Sequence, residues 1–293
     1  MTNDSKGSRS PGPLVETDWL AAQLGAPDLR VFDCTTHLIP NPVTVYDVES
    51  GRAGYDEGHI PGAGFLDLHG ELSDLESDLR FTLPSADQFA AVMSGHGVGD
   101  GTRVVLYSQT TVQWATRIWW MLKTFGFDDA MVLNGGLTKW RQEGRPLATE
   151  PANYPSARFA AKPRPELIAD KASVLAALDD PDSLVLNSLS HEQHAGGGRN
   201  YGRPGRIANS VCVPAAELLD GDSGAYLPLD ELRTKFEAVG ALDAPRVVAY
   251  CGGGIAASSD SFILSLFGHE GVSLYDGSLS EWVRDPALPM EID

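Results

Sequence analysis

The chain has 293 residues, 42% of them hydrophobic, which suits ordinary buried cores and a two-domain length. Its net charge of −18 argues against a broad nucleic-acid surface, which needs clustered Lys and Arg, but allows a locally positive pocket for a small anion. No apolar run approaches the ~18 residues of a membrane span, so the expected location is the cytoplasm.

Residues 1–13 are polar and rich in Ser, Gly and Pro. They lack the apolar core of a secretory signal and read as a loose tail. After them, short apolar runs alternate with helical spacing. Helices are expected at 17–24, 86–95, 113–125 and 137–142, and strands at 30–33, 103–107 and 130–133. The Pro- and Ala-rich stretch 149–166 reads as a linker. Beyond it the pattern resumes, with helices at 169–178, 229–238 and 256–267 and strands at 183–187, 246–250 and 272–275. The expected domains are therefore 14–148 and 167–293. Such alternation predicts an α/β protein in which each domain is a mainly parallel sheet with helices on both faces. Trp119, Trp120 and Trp140 stand among apolar neighbours at helical spacing and read as core.

Three cysteines are present: Cys34, Cys212 and Cys251. They form no CxxC or zinc-spaced cluster and are too few for a disulfide framework, so no metal is expected. Cys34 and Cys212 lie in strand-like runs and read as small core residues. Cys251 differs. It ends the run Arg246-Val247-Val248-Ala249-Tyr250 and is followed by Gly252, Gly253 and Gly254, then Ile255, Ala256 and Ala257 at the start of a helix. Glycines there let backbone N–H groups turn inward. Those amides and the positive helix end favour a thiolate. A buried cysteine beside an ordinary turn is the plain alternative.

An internal repeat decides between them. Arg103-Val104-Val105-Leu106-Tyr107-Ser108 aligns with Arg246 to Cys251, and Asn134-Gly135-Gly136 before Trp140 aligns with Asp276-Gly277-Ser278 before Trp282. Val31 to His37 aligns with Val185 to His191, Gly58-His59-Ile60-Pro61 with Gly205-Arg206-Ile207-Ala208, and Leu83-Pro84 with Leu227-Pro228. Five blocks in one order make two copies of a single unit. At this loop only the second copy carries a cysteine and glycines; the first has Ser108-Gln109-Thr110-Thr111. Ligands of open α/β sheets sit at the carboxyl ends of strands, where Cys251 falls.

Through these residues the chain resembles the tandem rhodanese family of sulfurtransferases from about residue 14 onward. Gly58 to Ala63 resembles one family signature, the Asn134 and Asp276 segments another, and Cys251 to Ala257 the active loop. The resemblance implies two rhodanese-like domains, a silent first domain, and a Cys251 persulfide formed from 3-mercaptopyruvate or thiosulfate. Cyanide, a small thiol or thioredoxin would be the acceptor, with no cofactor. Thiosulfate users tend to have cationic residues in the active loop, and positions 252–257 have none, which favours mercaptopyruvate. Gly253 and Ala256 replace the Ser and Thr of the mercaptopyruvate type. Leu189 and Gln193 stand where that type has arginines; Arg199, with Arg203 close by, is the expected donor anchor, and Gly196-Gly197-Gly198 a mobile gate. His59 matches a histidine suggested to face the active loop across the domain interface; a turn histidine with structural hydrogen bonds is the reading favoured over it. Asp276 reads as a turn residue accepting backbone N–H groups. A rhodanese-like phosphatase would need an Arg closing the loop, where Ala257 and Ser258 stand instead. A sulfur carrier with little turnover is the remaining rival.

Overall fold

The computed structural model describes residues 12–41 and 45–293. Most of the expected tail, residues 1–11, lies outside the described residues; the Pro13 carbonyl accepts a hydrogen bond from Val132 N at 2.7 Å.

The first half contains β1 (Leu14–Val15), α1 (Thr17–Gln23), β2 (Leu29–Asp33), β3 (Thr36–Asn41), β4 (Val45–Ser50), α2 (Arg52–Glu57), β5 (Ala63–Phe65), α3 (Ala86–Gly95), β6 (Arg103–Tyr107), α4 (Gln113–Thr124), β7 (Ala130–Leu133) and α5 (Gly136–Gln142). The second contains β8 (Ile168–Ala169), α6 (Lys171–Leu178), β9 (Ser183–Asn187), α7 (His191–His194), β10 (Arg206–Ile207), β11 (Val211–Cys212), α8 (Leu229–Ala238), β12 (Arg246–Tyr250), α9 (Ala256–Leu266), β13 (Val272–Tyr275), α10 (Ser278–Trp282) and β14 (Met290–Glu291). The expected helix at 169–178 starts two residues late, because Ile168 and Ala169 extend the second sheet and Asp170 caps the helix by accepting from Ser173 N. The hairpin β3–β4 was not among the expected strands.

Five parallel strands in the order β1-β7-β6-β2-β5 form the first sheet, and five in the order β11-β9-β12-β13-β8 form the second. Mapped through the repeat, the two orders are the same. The strands β2 and β7 are buried at every position, as sheets covered on both faces require.

Residues 154–164, the middle of the linker, strap the first domain. Tyr154 Oη accepts from Val31 N at 3.0 Å and donates to Gly62 O at 2.5 Å. Phe159 is buried against Phe89 and Phe127, and Lys162 N donates to Phe125 O at 2.8 Å.

The domains share one apolar core. The equivalent helices α4 and α9 pack on each other, with Trp119 edge-on to Phe262 at 4.9 Å and Thr116 Oγ1 2.9 Å from Ser258 Oγ. Matching surfaces of a duplicated unit meet here, as in a two-fold dimer. Cross-domain bonds follow the same symmetry. Asn134 Oδ1 accepts from Tyr226 N, and its counterpart Asp276 Oδ2 accepts from Leu83 N, both at 2.8 Å.

Cys34 is fully buried one residue beyond β2, where burial lifts its thiol well above the usual range. Cys212 is only half-buried, a correction to the core expectation: β11 is an edge strand, and the Cys212 sulfur donates to Leu189 O at 3.3 Å. Trp119, Trp120 and Trp140 are all buried.

Asp260 on α9 is fully buried. Ser188 Oγ donates to one carboxyl oxygen at 2.6 Å and the other has no partner among the described residues. Burial therefore raises its pKa well above the carboxylate range. A raised folded-state value means that stability is fully present below the unfolded pKa, about 4, and falls as pH rises from there. Asp260→Asn, which keeps the Ser188 acceptor and cannot ionise, is expected to flatten that decline. Denaturant titrations at pH 4 to 8 measure it, and an unchanged slope would contradict the assignment.

Candidate active site

Cys251 follows the last residue of β12, and the loop from Gly252 to Ile255 leads into α9. Parallel-sheet geometry puts this loop at the carboxyl edge of the sheet. Its shape is set by which backbone atoms are held. The Cys251 carbonyl accepts from Leu279 N at 3.1 Å. The Gly252 carbonyl accepts from Ser280 N at 2.9 Å and Ser280 Oγ at 2.6 Å. The Gly254 carbonyl accepts from Arg117 Nη1 at 3.3 Å. In a planar trans peptide the C=O and N–H point opposite ways. Pinning these three carbonyls therefore turns the N–H groups of Gly252, Gly253 and Ile255 away from α10 and Arg117.

None of these three amides has an acceptor among the described residues, nor do those of Ala256 and Ala257 in the first turn of α9. Two other loop amides are used internally. Cys251 N and Gly254 N both donate to Ser278 Oγ at 3.1 Å, and that hydroxyl donates to Tyr275 O at 2.7 Å. Gly254 has φ +77° and a β-carbon there would lie 2.7 Å from Arg117 Nη1, so only glycine fits.

Cys251 is 2% exposed and lines a cleft of ≈ 430 Å³ between the domains. Gly252, Gly253, Ile255 and Ala256 share that wall; Gly254 and Ala257 do not. The opposite side comes from the first domain: Thr36 to Ile39 and Tyr46 of the β3–β4 hairpin, then Phe81, Thr110, Thr111, Gln113 and Trp114. The first domain's equivalent loop thus contributes Thr110 and Thr111 to the cleft that holds the cysteine of the other. Among the described residues no Lys, Arg, Asp or Glu lines the cleft, and His37 is its one imidazole.

Two tyrosines flank the loop. The Tyr201 hydroxyl lies so close to Gly252 that a β-carbon there would be 1.9 Å from it, and the Tyr46 hydroxyl lies 3.9 Å from the equivalent point on Gly253. Burial, and next the charge of Cys251, push Tyr46 up to about 12 and raise Tyr201 further. Both phenols keep their protons at neutral pH and remain hydrogen-bond donors against the loop.

The other residues expected at the site lie elsewhere. Arg199 lines a neighbouring cavity with Pro40, Asn41, Val45 and Gly198, and only Tyr201 is shared with the Cys251 cleft. Arg203 Nη1 donates to Asp285 O and Leu288 O and braces the C-terminal segment instead. His59 is fully buried within the first domain and stacked on Tyr55 at 3.9 Å, with its ring nitrogens 2.8 Å from Tyr55 O and 3.1 Å from Glu150 O. It does not line the cleft. Asp276 is no local turn residue: it pairs with Arg117 of the first domain at 2.6 Å. Leu189 does line the cleft, as an apolar wall. His37, Tyr46, Tyr201 and Arg117 went unassigned in the sequence: His37 ends a repeat block but, like the other three, lies far from the cysteine loop in the chain. Among the described residues no group of three His, Cys, Asp or Glu could hold a metal, and no helix is long and apolar enough to cross a membrane.

Duplicated parallel-sheet domains, one of them presenting a lone thiol in a loop of free amides, define a tandem rhodanese architecture. Comparison with known proteins agrees. The family model described as "Rhodanese-like domain" matches residues 16–143 and 171–285. Thiosulfate/3-mercaptopyruvate sulfurtransferase 2 of Arabidopsis thaliana is 33% identical over 95% of this chain and 86% of its own length. Thiosulfate sulfurtransferase of Rattus norvegicus is 32% identical over 92% of both chains. The crystal structure of SseA from Escherichia coli, described as a 3-mercaptopyruvate sulfotransferase, superposes with a TM-score of 0.77 and 28% identity, covering 92% of this chain and 99% of that one. The chain belongs to the rhodanese family of sulfurtransferases, with two rhodanese-like domains in tandem.

Proposed function

We propose that this protein moves a sulfane sulfur from a small anionic donor to a thiol or cyanide through a persulfide on Cys251, with 3-mercaptopyruvate preferred over thiosulfate. The observation that carries the reading is the cleft itself: one thiol, free amides around it, and no cationic side chain among the described residues. Backbone amides suit the modest charge that develops on sulfur. A dianion such as thiosulfate, held in a closed cleft, asks for a guanidinium or ammonium that this lining lacks. Relatives named for either donor are about equally similar, so the preference rests on the lining alone.

In the first step the Cys251 thiolate attacks the donor sulfur. The carbon–sulfur bond breaks, its electron pair passes to the pyruvate enolate, and that carbon takes up a proton. The products are pyruvate and the Cys251 persulfide. In the second step an acceptor thiolate or cyanide attacks the outer sulfur and Cys251 leaves as thiolate. No electrons are gained or lost overall. The Gly252, Gly253 and Ile255 amides and the Tyr46 and Tyr201 hydroxyls hold the negative sulfur in both steps. Thr110 and Thr111 supply hydroxyls in place of a loop Ser and Thr. We place the reaction in the cytoplasm, where thiols stay reduced; all three cysteines here are free.

Incubation with each donor, followed by intact-protein mass spectrometry, tests this. Mercaptopyruvate is expected to add one sulfur, mapped to Cys251, and to release pyruvate repeatedly when cyanide is present. A sulfur gain from thiosulfate alone would reverse the donor order. One turnover and no more would identify a sulfur carrier, and no gain from either donor would end the persulfide reading.

A further inference from the structure

Arg117 belongs to α4 of the silent domain, yet its side chain ends beneath the active loop of the other. It is fully buried. Nη2 donates to Asp276 Oδ1 at 2.6 Å and to Phe81 O at 2.5 Å, and Nη1 donates to Gly254 O at 3.3 Å. The guanidinium lies 4.6 Å from the Trp120 ring centroid. Asp276 in turn uses its second oxygen on Leu83 N. Two domains and the active loop thus meet on a single ion pair.

Burying such a pair is a poor way to gain stability, since desolvation cancels much of the attraction. The repeat shows where the pair is placed. Arg117 follows Ser108 by the same nine positions that separate Asp260 from Cys251, and Asp276 aligns with Asn134. The equivalent residues, Asp260 and Asn134, make no pair: Asp260 takes a hydroxyl from Ser188 and Asn134 takes the Tyr226 amide. Of the two equivalent places, only the one under the cysteine-bearing loop holds a charged clamp.

Building on the assignment of Cys251 as nucleophile, we infer that Arg117 and Asp276 form a positioning pair for the active loop. Arg117 holds the Gly254 carbonyl away from the cleft and thereby directs the Ile255 N–H toward the sulfur side. Asp276 fixes the guanidinium and moderates its charge. The silent domain supplies part of the catalytic loop's support.

The test uses full-length Arg117→Met, Arg117→Lys and Asp276→Asn. Steady-state sulfur transfer and the rate of Cys251 alkylation by iodoacetamide at neutral pH are measured. Arg117→Met is expected to lower kcat by about 10- to 100-fold with KM changed by less than about threefold, and Arg117→Lys to recover part of the loss. The two sides of the pair should move alkylation in opposite directions. Removing the cation slows it, and removing the counter-charge speeds it. A purely structural role would shift both the same way, in step with lost thermal stability, and that result would overturn the proposal, as would wild-type kcat in Arg117→Met. Should Arg117→Met fail to fold, Arg117→Gln, which removes the charge but keeps a donor, against Asp276→Asn makes the same comparison. Transfer retained by Cys251→Ser would instead overturn the nucleophile assignment, a separate outcome.

Discussion

Cys251→Ser is expected to reduce sulfur transfer by about 10³-fold or more, with no sulfur gained from any donor. The substitution keeps size and polarity while removing the cleft's sulfur, the atom proposed to carry the persulfide. Serine also retains the Cys251 N bond to Ser278 Oγ and the Cys251 O bond to Leu279 N, since both are backbone contacts. The fold should therefore be unchanged, and circular dichroism with thermal melting checks this. Cys34 and Cys212 serve as internal controls: burial lifts the first thiol well above its usual range and the second to about 12. Neither is expected to label with iodoacetamide in the folded protein. Persulfide mapped to Cys34 or Cys212, or activity surviving in the serine variant, would move the chemistry away from the active loop.

Gly252→Ala is expected to lower kcat/KM by about 10²-fold while leaving the fold intact. The added methyl would lie 1.9 Å from Tyr201 Oη and 2.0 Å from Cζ, so one must move. The phenol is the softer partner. It sits on a run that includes Gly198, Gly202 and Gly205, all at positive φ, and it separates the Cys251 cleft from the Arg199 cavity. Displacing it moves a phenol hydroxyl that abuts the active loop and disturbs the wall the two cavities share. Tyr201→Phe, which keeps the partition and removes only the hydroxyl, should lose less. Steady-state kinetics on the three proteins decides the matter; a Gly252→Ala enzyme with wild-type kcat/KM would show that the Tyr201 contact is incidental.

Much of the architecture was legible because the chain states it twice. The blocks around Val31, Leu83, Val104 and Asn134 recur in the same order, and the two sheets repeat the same strand order. The cysteine was legible for a local reason: a strand, a thiol and three glycines are contiguous. The rest of the site was not local. Tyr46 comes from a hairpin with weak apolar alternation, Tyr201 from a polar loop, and Arg117 from a helix most of whose other residues are buried. Asp276 looked like a turn residue because its partner is 159 positions away. The resemblance offered His59 to the active loop, but its plainer reading as a turn histidine with structural hydrogen bonds holds: Tyr55, four residues earlier, claims its ring and one nitrogen. Arg203 was near the right segment, yet the carbonyls it serves lie 82 and 85 positions downstream.

The paired cross-domain bonds, Asn134 to Tyr226 and Asp276 to Leu83, limit how the chain can be divided. Each half completes a backbone amide of the other, so either half made alone would leave one loop amide without its acceptor.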